Sequence, residues 1–421
     1  MIIHPSEILR DSGDTIVWSK IEIEKKVENF PSYLWFRVPN QYADYLSLQS
    51  DVFLIPSLQA AMHFGEDIQV RGPVSPRLAY HLDEYQFVQR LMFSKDLQTV
   101  NIHYDKLAPL QADPRAVGAG FSGGVDSFYT LYKHLPNSQP LPEYQITHML
   151  FINGFDITQK DREKYHSLFS QYRDLLAKLD IELVPLETNL VSSVIPWLEY
   201  RRFYAPVLLG SVFVLGYLFK RFILSNSRHY TQAQVNSNPL ADRLLSTETI
   251  ELEHFGATIL REDKLEAISE WPVAGQALRV CGAPDLETLN CCKCEKCVRT
   301  MLPIYALGRM AQFHTFSDPL RSDRDTLRLA RKFDPYSDHS PTNYAFFKRH
   351  NPSLLPWLLV AAFLGGFRFW LIRLMPVLLK GWLQRYGYFV DALKQSFMFD
   401  NPRIIQVIQA QDQRNTQVGT K

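Results

Sequence analysis

The sequence predicts an α/β protein: a doubly wound, mostly parallel sheet, preceded by an N-terminal α/β domain and followed by a mostly helical C-terminal region. Three observations carry this reading. From Ala116 onward apolar strand-like runs alternate with helical patterns, the texture of βαβ units. The string Ser122-Gly123-Gly124-Val125-Asp126-Ser127 joins the first of those strands to the first of those helices. All five cysteines, Cys281, Cys291, Cys292, Cys294 and Cys297, lie downstream in one short segment.

Length and composition bound the answer. A chain of 421 residues suits two or three domains at about 100 to 200 residues each, and the texture changes place the boundaries at 1–112, 113–312 and 313–421. Hydrophobic residues at 46% and charged residues at 21% exclude a disordered or low-complexity chain. With 45 Lys plus Arg against 44 Asp plus Glu, the net charge of +1 supplies no global field for nucleic acid or an acidic membrane. Met1 to Asp14 lacks the cationic end and apolar run of a secretory signal, which makes the cytoplasm the expected compartment. Thiols clustered in a reducing compartment point to a metal site before disulfides.

In the first 112 residues, strands are expected at Thr15 to Ile23, Tyr33 to Val38, Asp67 to Val70 and Thr99 to His103, with helices near Val52 to His63 and Ser75 to Phe93. No ligand-like spacing of His, Asp or Glu occurs there. The parallel strands are expected at Ala116 to Phe121, His148 to Asn153, Glu182 to Glu187 and Arg221 to Ser225. Helices fall between them at Ser127 to His134, Gln159 to Leu179 and about Val194 to Phe219. The apolar run Ala205 to Phe219 holds fifteen residues, short of the roughly 20 that cross a bilayer, and reads as a buried helix covering the sheet. Val298 to Met310 continues as a helix. Leu354 to Leu383 is very apolar but interrupted by Pro356, Arg368, Arg373, Pro376 and Lys380, a helical hairpin packed on the protein or an interfacial surface for membrane or partner. A protein partner is accordingly expected at the N-terminal or C-terminal region. Gln409 to Lys421 is expected to fray.

The Ser-Gly-Gly string carries the most chemistry. A strand that ends in glycines and opens a helix aims backbone N–H groups and the positive end of the helix dipole at one spot, which holds an anion without a lysine. Gly120, Phe121, Ser122, Gly123, Gly124, Val125, Asp126 and Ser127 form this candidate phosphate site. The glycines allow close backbone approach, Ser122 and Ser127 offer hydroxyls, and Asp126 can hold Mg²⁺ against phosphates. Walker-type and GxGxxG readings fail for want of the Gly-Lys-Ser/Thr string and the glycine spacing. Ligands of open α/β sheets sit over the carboxyl ends of the strands. The rest of the pocket is therefore expected at Ile152 to Phe155 and Ser225 to Ser227, with Asn153, Ser225 and Asn226 as polar contacts.

On the SGGVDS string and its strand-helix context, the chain resembles the PP-loop (N-type) ATP pyrophosphatases, which share a HUP-like fold. The resemblance implies cleavage of ATP between its α and β phosphates and transfer of AMP to a substrate oxygen, which ammonia, an amine or a sulfur nucleophile then displaces. Asp126 and Ser127 are the implied catalytic residues. Lys264, in Arg261-Glu262-Asp263-Lys264, is the basic residue expected to join them, its bland alternative being a solvated helix position.

Cys281, Cys291, Cys294 and Cys297 are spaced C-x9-C-x2-C-x2-C. Thiolates on a tight turn, completed by one from a preceding loop, suit a structural tetrahedral Zn²⁺. A four-cysteine iron–sulfur cluster is the second choice, and Cys292 could replace Cys291 as ligand. Downstream of SGGVDS, this zinc-binding insertion resembles the C-x8-C-x2-C-x2-C motif of the 7-cyano-7-deazaguanine synthase (QueC) family. The likeness covers roughly Ala116 to Met310. It implies an ATP-dependent C–N ligase using ATP, Mg²⁺ and Zn²⁺. The family's Asp-Cys-Arg substrate segment is replaced here by Asn238-Pro239-Leu240-Ala241-Asp242-Arg243, which leaves the acceptor open. With its extra ends, the chain is similar to longer QueC-like proteins, some of them from bacterial antiphage operons of the Qat type. Two other functions compete: a nucleic-acid sulfur transferase with the same loop, for which only Cys292 remains as a free thiol, and a non-catalytic protein that keeps the nucleotide site as a switch.

Overall fold

In the computed structural model, residues 1–374 are described apart from 26–29, 94–95, 195–199, 233–236, 283–287 and 332–343, together with 409 and 411. The described strands are β1 (Ile2–Ile3), β2 (Glu7–Arg10), β3 (Asp14–Glu22), β4 (Tyr33–Pro39), β5 (Ile68–Val74), β6 (Ile102–Leu107), β7 (Ala116–Gly120), β8 (His148–Asn153), β9 (Glu182–Thr188), β10 (Phe219–Ser225) and β11 (Glu251–Phe255). The helices are α1 (Asp51–Phe64), α2 (Pro76–Met92), α3 (Val125–Lys133), α4 (Arg162–Ala177), α5 (Leu190–Val194), α6 (Tyr200–Phe213), α7 (Arg261–Ile268), α8 (Pro272–Ala277), α9 (Glu295–Ala306), α10 (Tyr344–His350) and α11 (Leu354–Leu374).

All eleven strands form one mixed sheet in the order β11-β10-β7-β8-β9-β4-β3-β1-β5-β6, with β2 paired to β3. From β11 to β9 the pairing is parallel throughout. Along the chain, β7, β8 and β9 step outward in one direction, and β10 and β11 then return to the other side of β7. The order therefore reverses between β7 and β10, and the connections at that reversal leave a crevice outside the carboxyl ends of the strands. Residues of α3 and α4 cover one face of this parallel half and those of α6 the other. Strands covered on both faces carry continuous apolar runs, as in Phe222-Ile223-Leu224 of β10, all buried.

The N-terminal strands continue the same sheet. β4 runs antiparallel to β9, pairing Phe36 with Thr188 and Arg37 with Glu187. Side chains reinforce this joint. Thr188 Oγ1 donates to the Trp35 carbonyl at 2.7 Å, the Trp35 N–H donates to Asn189 Oδ1 at 3.0 Å, and Asn189 Nδ2 donates to the Tyr33 carbonyl at 2.9 Å. Arg37 also pairs with Glu187. The apolar core crosses residue 112 as well: Phe36, Phe53 and Leu54 share one cluster with Val207, Phe213 and Phe222. Gly210 lets α6 approach α1, because a Cβ there would stand 2.9 Å from the Val52 carbonyl oxygen.

Some elements depart from expectation. The helix expected to run to Phe219 ends at Phe213, and Phe219 already belongs to β10. The run from Phe213 to Phe219 is apolar apart from Gly216 and Tyr217, so periodicity gave little sign of the break, and Gly216 is its one breaker. β11 and α8 were not anticipated, and α7 only as a helix carrying Lys264. Of the apolar stretch Leu354 to Leu383, the part to Leu374 forms α11, unbroken at Pro356, and the remainder lies outside the described residues. The tail from Gln409 lies outside them too, except for 409 and 411. No described helix is long and apolar enough to cross a membrane.

Asn189 is fully buried, so Asn189→Ala leaves the Trp35 N–H and the Tyr33 carbonyl without their partner. We expect a stability loss of about 1–3 kcal/mol, read by thermal or urea denaturation as one shifted transition of the whole sheet.

Candidate functional site

β7 consists of Ala116, Val117, Gly118, Ala119 and Gly120, small residues that let its neighbours close in. The chain then turns sharply. Gly123 has φ +73°, and a Cβ there would lie 2.3 Å from the Tyr172 hydroxyl, so both backbone conformation and space demand glycine. Ser122 Oγ accepts the Gly124 N–H at 3.3 Å, and the Ser127 hydroxyl donates to the Gly124 carbonyl at 3.0 Å. Val125 is buried, and Phe121 meets Phe128 and Tyr172 edge to face at 5.2 and 5.0 Å between centroids. The turn is thereby anchored in the core while the first N–H groups of α3, which have no intrahelical acceptor, mark the positive end of the helix.

A cleft of about 290 Å³ opens at the carboxyl ends of β7, β8 and β10, where the strand order reverses. Gly120, Phe121, Ser122, Asp126 and Ser127 line it from the loop and Ser225 from the end of β10, with Ile152, Phe155 and Ser227 also on its wall. Gly123, Gly124, Val125, Asn153, Asn226 and Lys264 stand behind that wall. Asn153 and Asn226 are nonetheless buried beside strand ends, and Asn153 Oδ1 and Asn226 Nδ2 have no hydrogen-bond partner among the described residues.

Asp126, at the start of α3, is the electrostatic hub. Its Oδ1 accepts from Lys264 Nζ at 2.8 Å and its Oδ2 from Arg261 Nη1 at 3.3 Å. Lys264 is 1% exposed, and its ammonium also donates to the Asn226 carbonyl. Burial alone would raise the Asp126 carboxyl. The Lys264 and Arg261 charges outweigh it and hold the group below the ordinary carboxylate range. Arg261 Nη2 reaches Thr300 Oγ1 on α9 at 3.3 Å. Nearby Arg299 is pushed down to about 10 by burial and by the Arg261 charge. Lys264 is therefore a buried partner of the loop and not a solvated helix residue.

The cysteines gather as a cluster. The Sγ atoms of Cys281, Cys291, Cys294 and Cys297 all lie within 4.8 Å of one another. Cys294 and Cys281 are 3.7 Å apart, Cys291 and Cys297 3.9 Å. Zn–S bonds of about 2.3 Å in a tetrahedron set sulfurs about 3.8 Å apart, whereas a disulfide brings them to about 2 Å. The cluster can hold one metal ion and is compatible with zinc. Backbone N–H groups of Cys294 and Cys297 donate to Cys291 Sγ and Cys294 Sγ at 3.3 and 3.4 Å, contacts that favour the charged thiolate form. Cys292 takes φ +57° and turns away, its buried sulfur facing the Asn290 carbonyl and accepting the Asp318 N–H at 3.4 Å. That geometry selects Cys291 over Cys292 as the fourth member.

Comparison with protein-family models, curated proteins and solved structures gives no match.

Two cations on the cleft wall escaped sequence reasoning: Arg279 and Lys296. The signal lay in their position, two residues before Cys281 and one before Cys297, but nothing in the linear pattern shows that the cysteine cluster abuts the loop. Asp156, on the same wall, lies one residue beyond the expected segment Ile152 to Phe155 and was missed because that segment was ended at Phe155.

Two outcomes follow from this geometry. Cys291→Ser should lose a bound divalent metal and Cys292→Ser should keep it, as read by elemental analysis of the purified chains. Lys264→Met should cost about 3 kcal/mol, because it leaves a mostly buried carboxylate short of its main counter-charge. The depressed folded pKa of Asp126 contributes stability above its unfolded value of about 3.9, and this is lost as pH falls through the folded value. In Lys264→Met that acid-side loss should begin at higher pH in melts across the acid range.

Proposed function

We propose that this chain is an ATP-dependent ligase of the PP-loop, QueC-like kind, which cleaves ATP to AMP and pyrophosphate and adenylates a carboxylate or amide oxygen for attack by ammonia or an amine. The observation that carries the reading is the position of the Ser122–Ser127 turn. It lies at the carboxyl end of the central strand β7, at the reversal of strand order, with the open end of α3 directed at a cleft that mixes apolar and polar groups.

In this reading the acceptor oxygen attacks the α-phosphorus, the bond to the α–β bridging oxygen breaks, and its electron pair leaves with pyrophosphate. The amine then displaces AMP. The loop N–H groups and hydroxyls stabilise charge as it develops on the departing phosphates. Mg²⁺ in such sites is shared between phosphates and one or two carboxylates, and Asp126 and Asp156 are carboxylates on the cleft wall. Zn²⁺ in the Cys281, Cys291, Cys294 and Cys297 site supplies folding energy and no redox chemistry. The placement of Cys292 favours ligation over sulfur transfer, since its buried sulfur faces Asn290 and Asp318 and not the cleft.

The full chain, given ATP, Mg²⁺, an ammonia source and deazaguanine-type carboxylate or amide acceptors, should release AMP and pyrophosphate in equal amounts. Asp126→Ala should reduce that release by at least about a hundredfold. Release of ADP and phosphate in place of AMP, or undiminished AMP from the variant, would overturn the assignment.

A further inference from the structure

The geometry points to an anion clamp made by Arg279 and Lys296, held by the cysteine cluster against the Ser122–Ser127 turn, whose guest is the β,γ-pyrophosphoryl end of the nucleotide. The inference rests on the nucleotide-site reading and assigns the charges that would receive the leaving group.

The cations nearest the loop in sequence reasoning are already engaged. Lys264 and Arg261 both face Asp126 and compensate its buried charge. A polyphosphate needs further positive charge, and the cleft supplies it from the opposite side. Arg279 is 6% exposed and lines the cleft. Its backbone N–H donates to the Gly123 carbonyl at 2.8 Å and its Nη2 to the Ser122 carbonyl at 3.3 Å, which leaves Nε buried without a hydrogen-bond partner among the described residues. An arginine buried at this cost, with a donor unused and the cleft beside it, is poised for an anionic oxygen. Lys296 lies on the same wall, in the first turn of α9. The start of α3 meets the cleft through Asp126 and Ser127, and its dipole adds to the field of the two cations, whereas the first turn of α9 is capped by Cys294.

The cysteines explain why both cations stand there. Arg279 precedes the cluster member Cys281 by two residues, and Lys296 sits between Cys294 and Cys297. A metal held by these four sulfurs would therefore pin the two segments of backbone that carry the clamp. Metal loss should loosen both and weaken anion binding even where the parallel sheet stays folded.

The test uses calorimetric titration of the full-length, zinc-loaded chain with inorganic pyrophosphate and, separately, with adenosine as a phosphate-free probe. Arg279→Gln keeps a donor for the Ser122 carbonyl and removes the charge; Lys296→Ala removes an exposed side chain that has no hydrogen bond or ion pair among the described residues. Each should weaken pyrophosphate binding at least about tenfold while adenosine binding stays within twofold. Zinc removal by chelation should weaken pyrophosphate binding at least as much. Arg115→Ala, a 90% exposed cation at the far end of β7, should change neither titration. Wild-type pyrophosphate affinity in both clamp variants overturns the clamp alone, as does an equal loss of adenosine and pyrophosphate binding. A wild-type chain that binds neither probe overturns the nucleotide-site reading, and the clamp with it.

Discussion

A carboxylate at the start of α3 has to stay ionised while four-fifths of its side-chain surface is withdrawn from water, and the site is organised around that requirement. Asp126 is 19% exposed and takes Lys264 on one oxygen and Arg261 on the other. Removing such a charge from water costs several kcal/mol unless it is met by counter-charges in good geometry. Meeting it ties four segments together. Lys264 also holds the Asn226 carbonyl just beyond β10, and Arg261 reaches Thr300 on α9. The turn after β7, the end of β10, α7 and α9 are thus fixed relative to one another by one polar network, and the cysteine cluster is attached to it through α9.

The sheet gives this network a rigid floor. A five-stranded parallel sheet would leave β9 as an edge with unpaired backbone groups. Here β4 covers that edge, and Thr188 and Asn189 clamp it with side-chain hydrogen bonds to Trp35 and Tyr33. The core continues through the joint, with α1 packed on α6 across Gly210. Burying an aromatic such as Phe36 contributes about 1.5–3 kcal/mol, and several such residues straddle the joint. The N-terminal strands thus cover the edge of the sheet that carries the cleft, and among their described residues no group of His, Cys, Asp and Glu gathers at metal-ligand separation.

The cysteine cluster does for the opposite wall what Asp126 does for the loop. Residues on a surface connection pay a large entropic cost to stand still. Four sulfurs at metal-ligand separation, two of them receiving backbone N–H groups, bring Cys281 together with Cys291, Cys294 and Cys297 at the start of α9. The two walls differ in charge: the loop side offers backbone donors and a carboxylate paired with Lys264 and Arg261, whereas the cysteine side carries Arg279 and Lys296, which pair with no carboxylate among the described residues.

The local chemistry was legible in the chain. SGGVDS predicted a strand-to-helix turn because its glycine pair stands between an apolar strand-like run and a helical pattern, and the structure places Gly123 at φ +73° against Tyr172. The clustering of all five cysteines predicted a metal site, since thiols so close in sequence must share a small volume. Parallel strands β7, β8, β9 and β10 were readable from short apolar runs alternating with helical patterns. What the sequence could not supply was adjacency across the sheet. Lys264 lies 138 residues from Asp126, Arg279 is 157 residues from the Ser122 carbonyl it meets, and β4 joins β9 over some 150 residues. Side-chain identity shows which groups can pair, but only the folded sheet, through its order reversal and the helices laid over it, decides which groups are brought within reach. The selection of Cys291 over Cys292 has the same origin: two adjacent cysteines are chemically equal in sequence, and the positive φ at Cys292 turns its sulfur out of the cluster.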